Sequence, residues 1–466
     1  MQTHANSEAA AVDAQEGGGL IVVLLLVIPM LATIAFGAVD AWAMGIFSLL
    51  AAVVAVAWTY NAVKRSALTL SPSLLQLPLI ALFMIGCIQL LPLAGGRLGE
   101  LPIAEAASRA LSLDQYATRF FLVRLGGYIV YFAAALAFIN SPARLRRTAV
   151  TLVIFGAAIA FFAILQRLAN PDGIYGVRPT PQAIPFGPFV NQHHFTALME
   201  MLSGLTLGLL FSGGLGRDKK LLLGMAAAVM GMAAIFTSSR GGLIGYLATI
   251  LFVAAVAVFF VRRQRQSGDD QSGTARRVLP FAFGGIAVLL LVAGSTLYLG
   301  GGSAFLRGIG ESDAQTDITS GRTHFWGIAL RVFADHPVIG AGLDAFGAAF
   351  PQYDDWNGTY RVEQAHNDYL QILADAGVLG FACAAAFIFL LFRSGVRSLV
   401  RSEAGLGRGI CAGALAGCAG ILIHSFFDFP LRTPANAFFF LLLATLVVVS
   451  GRLPVERRRR RSASVR

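Results

Sequence analysis

The chain has 466 residues, of which 56% are hydrophobic and only 13% charged, with a formal net charge of +11 and a mean hydropathy of +0.69. An ordinary soluble domain carries about 25% charged residues, so this composition excludes one and requires a lipid environment. The positive charge does not point to nucleic acid, because the basic residues fall in every second loop between long apolar runs, as membrane proteins distribute them.

In chain order, residues 1–19 form a polar, mildly acidic leader without the basic n-region of a cleavable signal peptide, so the apolar run that follows reads as a retained helix. Apolar runs at 20–37, 121–139, 241–261 and 435–449 each approach the length that crosses the hydrocarbon core as a helix. About twelve such runs are counted by this length rule. The expected fold is therefore an all-α polytopic membrane protein with about twelve transmembrane helices and a large helical outer loop. Residues 1–19 are the leader, 20–190 the N-terminal membrane helices, and 191–299 further membrane helices with an Arg-Gly turn. The outer loop spans 300–377, the C-terminal membrane helices 378–451, and a basic tail 452–466.

Lys64 and Arg65, then Arg144, Arg146 and Arg147, then Arg217, Lys219 and Lys220, then 262–277, 397–408 and 457–461 alternate with less basic loops. By the positive-inside bias these loops and both termini face the cytoplasm, and 94–119, 169–191, 238–242, 300–377 and 429–434 face outward. The arginine-rich tail reads as a solvated, lipid-facing anchor in preference to an RNA-binding arm. Residues 300–377 hold Trp326, Tyr353, Trp356 and Tyr360 among polar residues, too polar to cross lipid and too aromatic for a plain linker. Cys87, Cys383, Cys411 and Cys418 all lie in apolar runs, which suggests neither disulfides nor a thiolate metal site. Gly409, Gly413 and Gly417 recur every fourth residue, a spacing that lets two membrane helices approach closely.

Chemistry is sought among ionisable residues at the outer helix ends, where each charge is costly enough to need a partner or a task. Arg240 stands in Thr237-Ser238-Ser239-Arg240-Gly241-Gly242, a turn between two membrane runs. A lone arginine there would read as a snorkelling anchor, but the two glycines let backbone or ligand come close. Arg322 lies in the outer loop, in Ser320-Gly321-Arg322-Thr323-His324. Two guanidinium forks facing one pocket suit a diphosphate. In Gln364-Ala365-His366-Asn367-Asp368, ahead of Ala374-Asp375-Ala376-Gly377, His366 lies near the outer end of a helix. It can accept a proton from an attacking hydroxyl or simply cap the helix, and this segment alone leaves both open. Asn191 is a natural cap for the helix that His193 and His194 open. His424 and Asp428, four residues apart, are expected to share a helix face and hydrogen-bond to each other. Six of the seven histidines fall on the outer side, which raises zinc or copper, but no His-Glu-x-x-His or clustered Cys/His spacing occurs and no metal is expected. No Walker A loop is present either, so no use of ATP is visible.

Taken together the motifs resemble the O-antigen ligase and Wzy-type polysaccharide polymerase family. The likeness is carried by 187–201 with its Asn-x-x-His-Phe core, by Ser239-Arg240-Gly241, by 322–351 with Asp335-His336-Pro337-Val338-Ile339-Gly340-Ala341-Gly342, and by Ala365-His366-Asn367 through Gly380. A fifth stretch, 424–437, is similar to the exopolysaccharide-associated branch. The resemblance implies a GT-C-like, metal-independent glycosyltransferase of the bacterial inner membrane, with a periplasmic site and undecaprenyl-diphosphate-linked saccharides as donors. It implies His366, Arg240 and Arg322 as catalytic residues, and Asn191, His194, His324, Asn367, His424 and Asp428 are expected to bind substrate. Asp375 stands where members often carry glutamate. No cofactor is expected. Partners implied are the lipid-linked donor, a glycan or lipid acceptor, the bilayer, a flippase and a chain-length regulator. Polymerase is favoured over ligase on the strength of 424–437. The rival reading is a secondary transporter, against which stand the clustering of charge at one face and the lack of a visible internal repeat.

Overall fold

The structure is a computed structural model that describes residues 18–92, 110–169, 172–181, 183–213, 215–266, 321–355, 362–402 and 405–452. The polar leader up to residue 17, Trp356, Tyr360, residues 300–320 of the expected outer loop and the arginine-rich tail lie outside them. The described residues form thirteen α-helices and two short 3₁₀ turns. They are α1 (Gly19–Ile34), α2 (Ala41–Arg65), α3 (Gln76–Gln89), α4 (Gln115–Phe138), α5 (Pro142–Ala169), α6 (Gln192–Leu210) and α7 (Arg217–Phe236), followed by α8 (Arg240–Gln266), α9 (Arg322–Asp335), α10 (Phe346–Tyr353), α11 (Asp368–Arg401), α12 (Leu406–His424) and α13 (Pro434–Ser450).

Seven of these helices are long and apolar enough to cross a membrane, and α1, α3 and α13 are shorter apolar helices. The protein is thus a multi-pass helical membrane protein, and the described residues do not reach the expected count of about twelve. Burial sorts the helices by layer. Every residue of α13 is buried, and 78% of the apolar window of α12 is buried, against 22% for α2, α7 and α8. A helix apolar on all sides belongs at the centre of a bundle, and α6, α12 and α13 occupy it. The outer helices display Leu49, Val56, Leu221 and Leu251 at 55–69% exposure, a surface that only lipid tolerates.

The glycine spacing in α12 does what the sequence suggests, and its partner is α6. A Cβ on Gly208 would lie 2.4 Å from Gly413 N and Cα, and one on Gly204 would lie 2.6 Å from Gly417 N, so the two backbones touch.

At one end of the bundle α9 and α10 fold over the start of α11 around Ile328, Val332, Phe346, Phe350 and Ala374. Two of the sequence motifs meet there. Val378 N donates to Pro337 O, Leu379 N to Val338 O, and Gly342 N to Asp375 O. Gly340 (φ 75°) and Gly377 (φ 62°) have left-handed backbone, and a Cβ on either would fall 2.3–2.4 Å from the other segment's backbone. Gly377 also kinks α11 within its length.

Candidate functional site

The local fold around His366 follows from Asn367, whose Oδ1 accepts from Tyr369 N at 3.0 Å and Leu370 N at 3.1 Å and so caps α11. Its Nδ2 donates to Phe426 O at 3.0 Å, Asp368 N donates to Ser425 O, and the Tyr369 hydroxyl donates to Leu422 O. The start of α11 is therefore clamped to the turn that follows α12. This clamp holds His366 at φ 50°, a left-handed conformation that few side chains adopt. The His366 ring stands edge-on to Phe429, with centroids 4.8 Å apart, and lies near Phe325. Its Nδ1 is 3.3 Å from Asp428 Oδ1, with the ring 30% exposed and the carboxylate 1% exposed.

Asp428 is the hub. Its Oδ1 also accepts from Phe429 N at 2.9 Å, and its Oδ2 lies 3.5 Å from Arg322 Nη2. Burial pushes the Asp428 carboxyl up, but His366 beside it and the neighbouring His193 and His194 outweigh burial and hold it well below the usual carboxylate range. Arg322 opens α9 directly after Gly321, whose φ of 82° turns the chain.

The opening of α6 supplies a second pair of histidines. Asn191 caps the helix by accepting from His193 N at 2.8 Å. His194 Nδ1 shares a 2.7 Å hydrogen bond with Thr433 Oγ1, and its ring stands edge-on to Phe429 with centroids 4.9 Å apart. Phe429 thus touches both His194 and His366. His193 Nδ1 bonds Ser239 Oγ at 2.7 Å, immediately before Arg240. Arg240 is exposed at the start of α8. Its glycines leave room for neighbouring side chains: a Cβ on Gly241 would lie 2.9 Å from Phe427 Cβ, and one on Gly242 would lie 2.5 Å from Thr196 Cγ2.

One expectation changes. His424 and Asp428 do not bond to each other's side chains, because α12 ends at His424 and the i, i+4 face ends with it. His424 Nδ1 instead lies 2.8 Å from Glu200 Oε1, both side chains at 0% exposure. His324 turns away from Asp428 into the cap, with Nε2 2.8 Å from Asp354 Oδ1 and Nδ1 3.7 Å from Asp355 Oδ1. His324, Asp354 and Asp355 are a group that could hold a cation, but each ring nitrogen faces its own carboxylate, which suits a doubly flanked imidazole better than a metal ligand.

A second polar network went unread in the sequence. Arg432 pairs with both Asp344 and Asp375, and Arg124 on α4 lies 3.3 Å from Asp344. Asp375 Oδ1 accepts from Phe346 N at 3.1 Å, and its Oδ2 accepts from Gln371 Nε2 at 3.2 Å. Asp375 therefore ties the cap to the bundle and stands in a network separate from His366. Burial disfavours the Arg432 charge, yet Asp375, Asp344 and Asp368 raise its pKa above the ordinary value. For Asp344 burial acts upward, and Arg432 and Arg124 win, so its pKa is lowered. The signal for these residues, and for Glu200, was a lone charge within or beside an apolar run. Arg124 and Arg432 also line the polar end of an apolar cavity of about 230 Å³, whose walls include Leu79, Phe121, Ile372, Phe387, Leu431 and Leu441.

The cluster at the start of α11 and the turn after α12 gathers a buried carboxylate, an imidazole and a guanidinium in one place, and it sits largely on one recognisable segment. Residues 225–385 match the O-antigen ligase family model. The matched segment contains Arg240, Arg322, His324, His366, Asn367 and Asp375, while Asn191, His194, His424 and Asp428 lie outside it and are brought to it by the fold. No curated protein matches the chain.

Proposed function

We propose that the protein is a metal-independent glycosyltransferase that transfers or polymerises saccharides carried on undecaprenyl diphosphate, working at the periplasmic face of a bacterial inner membrane. The observation that carries this reading is the contact of Asp428 with both His366 and Arg322, with two of the three residues inside the matched segment. In the tautomer that carries its proton on Nδ1, the nitrogen 3.3 Å from Asp428, His366 keeps its Nε2 lone pair for a proton. An acceptor hydroxyl oxygen attacks the anomeric carbon, its proton passes to His366, and the bond from that carbon to the diphosphate oxygen breaks. The bonding pair leaves with undecaprenyl diphosphate. Arg240 and Arg322 stabilise the departing anion, and their fixed charge takes the place a metal would fill. A single displacement inverts the anomeric centre. Both termini face the cytoplasm on the positive-inside pattern, and the cavity beside Phe121 and Phe387 receives the prenyl chain. Residues 424–437, which bring Asp428 and Phe429 to His366, favour the polymerase over the ligase form of the reaction.

The test is a chromosomal deletion complemented with wild type, Arg240→Ala, Arg322→Ala or His366→Ala at matched membrane levels, followed by gel analysis of envelope polysaccharide. Loss of long polymer with accumulation of single lipid-linked repeats is expected. Long lipid-linked polymer that never reaches its acceptor would assign the ligase form instead, and unchanged polysaccharide in the deletion strain would overturn the glycosyltransferase reading.

A further inference from the structure

Glu200 sits on α6, which begins at Gln192, roughly 12 Å along the helix axis at about 1.5 Å per residue and in the interior of the bundle. A carboxylate there is costly unless paired, and its partner is His424, with Nδ1 2.8 Å from Oε1 and no exposure on either side chain. The third helix at this point is α8. A Cβ on Gly245 would lie 2.7 Å from Glu200 Oε2, and one on Gly241 would lie 3.3 Å from His424 Cδ2 and 3.5 Å from its Nε2. The Tyr246 hydroxyl donates to Ser203 Oγ one turn along, at 2.9 Å. Among the described residues both ring nitrogens of His424 and both carboxylate oxygens of Glu200 lack a hydrogen bond of regular geometry, so the pair meets by close approach at 2.8 Å.

The pair is joined to the candidate site at two points. Gly241, packed on the His424 ring, directly follows Arg240. The His424 carbonyl accepts from Phe427 N at 2.8 Å and from Asp428 N at 3.2 Å, so the residue whose ring meets Glu200 also starts the turn that carries Asp428. A rotation of that ring would collide with the α8 backbone at Gly241 and disturb both the arginine and the carboxylate. We infer that Glu200 is a positioning residue for the reaction: by holding the His424 ring in one orientation it fixes the Arg240 turn of α8 relative to the Asp428 turn after α12. This rests on the glycosyltransferase reading of the site. A buried ion pair is a weak source of stability, and well-packed apolar residues of similar volume often replace one at no loss. The inference therefore separates activity from stability.

The full-length chain is purified in detergent, and turnover of the lipid-linked repeats that accumulate in the deletion strain is measured with thermal unfolding. Glu200→Gln keeps the shape of the side chain and an oxygen beside Nδ1 and is expected to retain kcat within a few-fold. Glu200→Leu is expected to lower kcat on the order of 10²-fold, the scale of a misplacement of about 1 Å at the chemistry, with KM near wild type and a lower unfolding temperature, because it leaves His424 buried without its partner. The double variant Glu200→Leu/His424→Phe leaves no unpaired buried charge and so folds even where the single leucine variant does not. Its defect should be no larger than either single defect, because the two side chains act as a unit. Wild-type kcat in the double variant, or a loss of activity in Glu200→Gln as deep as in Glu200→Leu, would overturn the inference. His366→Ala run in parallel keeps the two readings apart: if it too is fully active the glycosyltransferase reading fails, whereas an inactive His366→Ala beside a fully active double variant defeats only the role of Glu200.

Discussion

Asp428 answers two neighbours with one buried carboxylate, since both His366 and Arg322 face it. Its pKa is held below the ordinary value in the folded state, so its contribution to stability is fully present above the unfolded value of about 3.9 and disappears as pH falls through the folded value. Asp344, lowered by Arg432 and Arg124 against the upward pull of burial, has the same sign. The unfolding temperature of Asp428→Asn in detergent should therefore lie below wild type above about pH 5, and the gap should narrow progressively once pH falls below about 4. A gap that stayed at its full size down to about pH 2 would contradict the assignment of Asp428 as the ionised hub of the cluster. For the chemistry, His366→Ala should cost on the order of 10²–10⁴ in kcat, the range for loss of a general base, with the unfolding temperature little changed because the ring is partly exposed. At this scale His366, Arg322 and Asp428 are all visible in the sequence as charges at helix ends. What is not visible is who meets whom: spacing pairs Asp428 with His424, four residues away, whereas its partners lie 62 and 106 positions back in the chain, at His366 and Arg322. The i, i+4 rule requires a continuing helix, and here the helix has ended.

The helices explain why some motifs are easier to interpret than others. Gly409, Gly413 and Gly417 announce a close helix contact because the spacing alone implies it, but their partners Gly204 and Gly208 sit in a segment whose histidines and cap point first to chemistry. Even Gly208→Ala places a Cβ 2.4 Å from Gly413 backbone atoms. It should lower stability by about 1–3 kcal/mol, the usual cost of overpacking, measured as a fall in unfolding temperature. The start of α11 permits a finer separation. Asn367 has one oxygen on the helix cap and one nitrogen on Phe426 O. Asn367→Asp keeps the capping acceptor and loses the donor, so it should unfold near the wild-type temperature while losing activity as the Asp428 turn loosens. Asn367→Ala loses both and should be destabilised by about 1 kcal/mol as well. Equal thermal stability of the two variants would mean that the cap is not what holds this end of α11. The Asp335 to Gly342 stretch is recognisable as a motif, yet its purpose requires three dimensions: its glycines let its backbone lie against Ala374 to Gly377.

Across the whole molecule, hydropathy conveys the membrane fold because lipid imposes one solution, helices that satisfy their own backbone. Hydropathy does not report which apolar surfaces face lipid and which face a hollow. The cavity of about 230 Å³ between α3, α4, α11, α12 and α13 is such a hollow, assembled from residues as distant as Leu79 and Leu441. Its polar end carries Arg124 and Arg432, both already matched by Asp344 and Asp375, so it offers little net attraction to a diphosphate and is suited to the hydrocarbon portion of a ligand. If the prenyl chain of the donor lies there, filling the space should weaken donor binding in proportion to chain length. Ala384 lines the cavity with a small side chain on α11. Ala384→Trp should raise KM for a donor with the full-length chain by roughly tenfold, about 1.4 kcal/mol of lost apolar contact, and leave kcat and the unfolding temperature close to wild type. A donor analogue truncated to a few isoprene units does not reach the cavity and should show the same KM with either protein. A KM increase of equal size for long and short donors would place the substitution's effect at the head group and would remove the cavity from the substrate path.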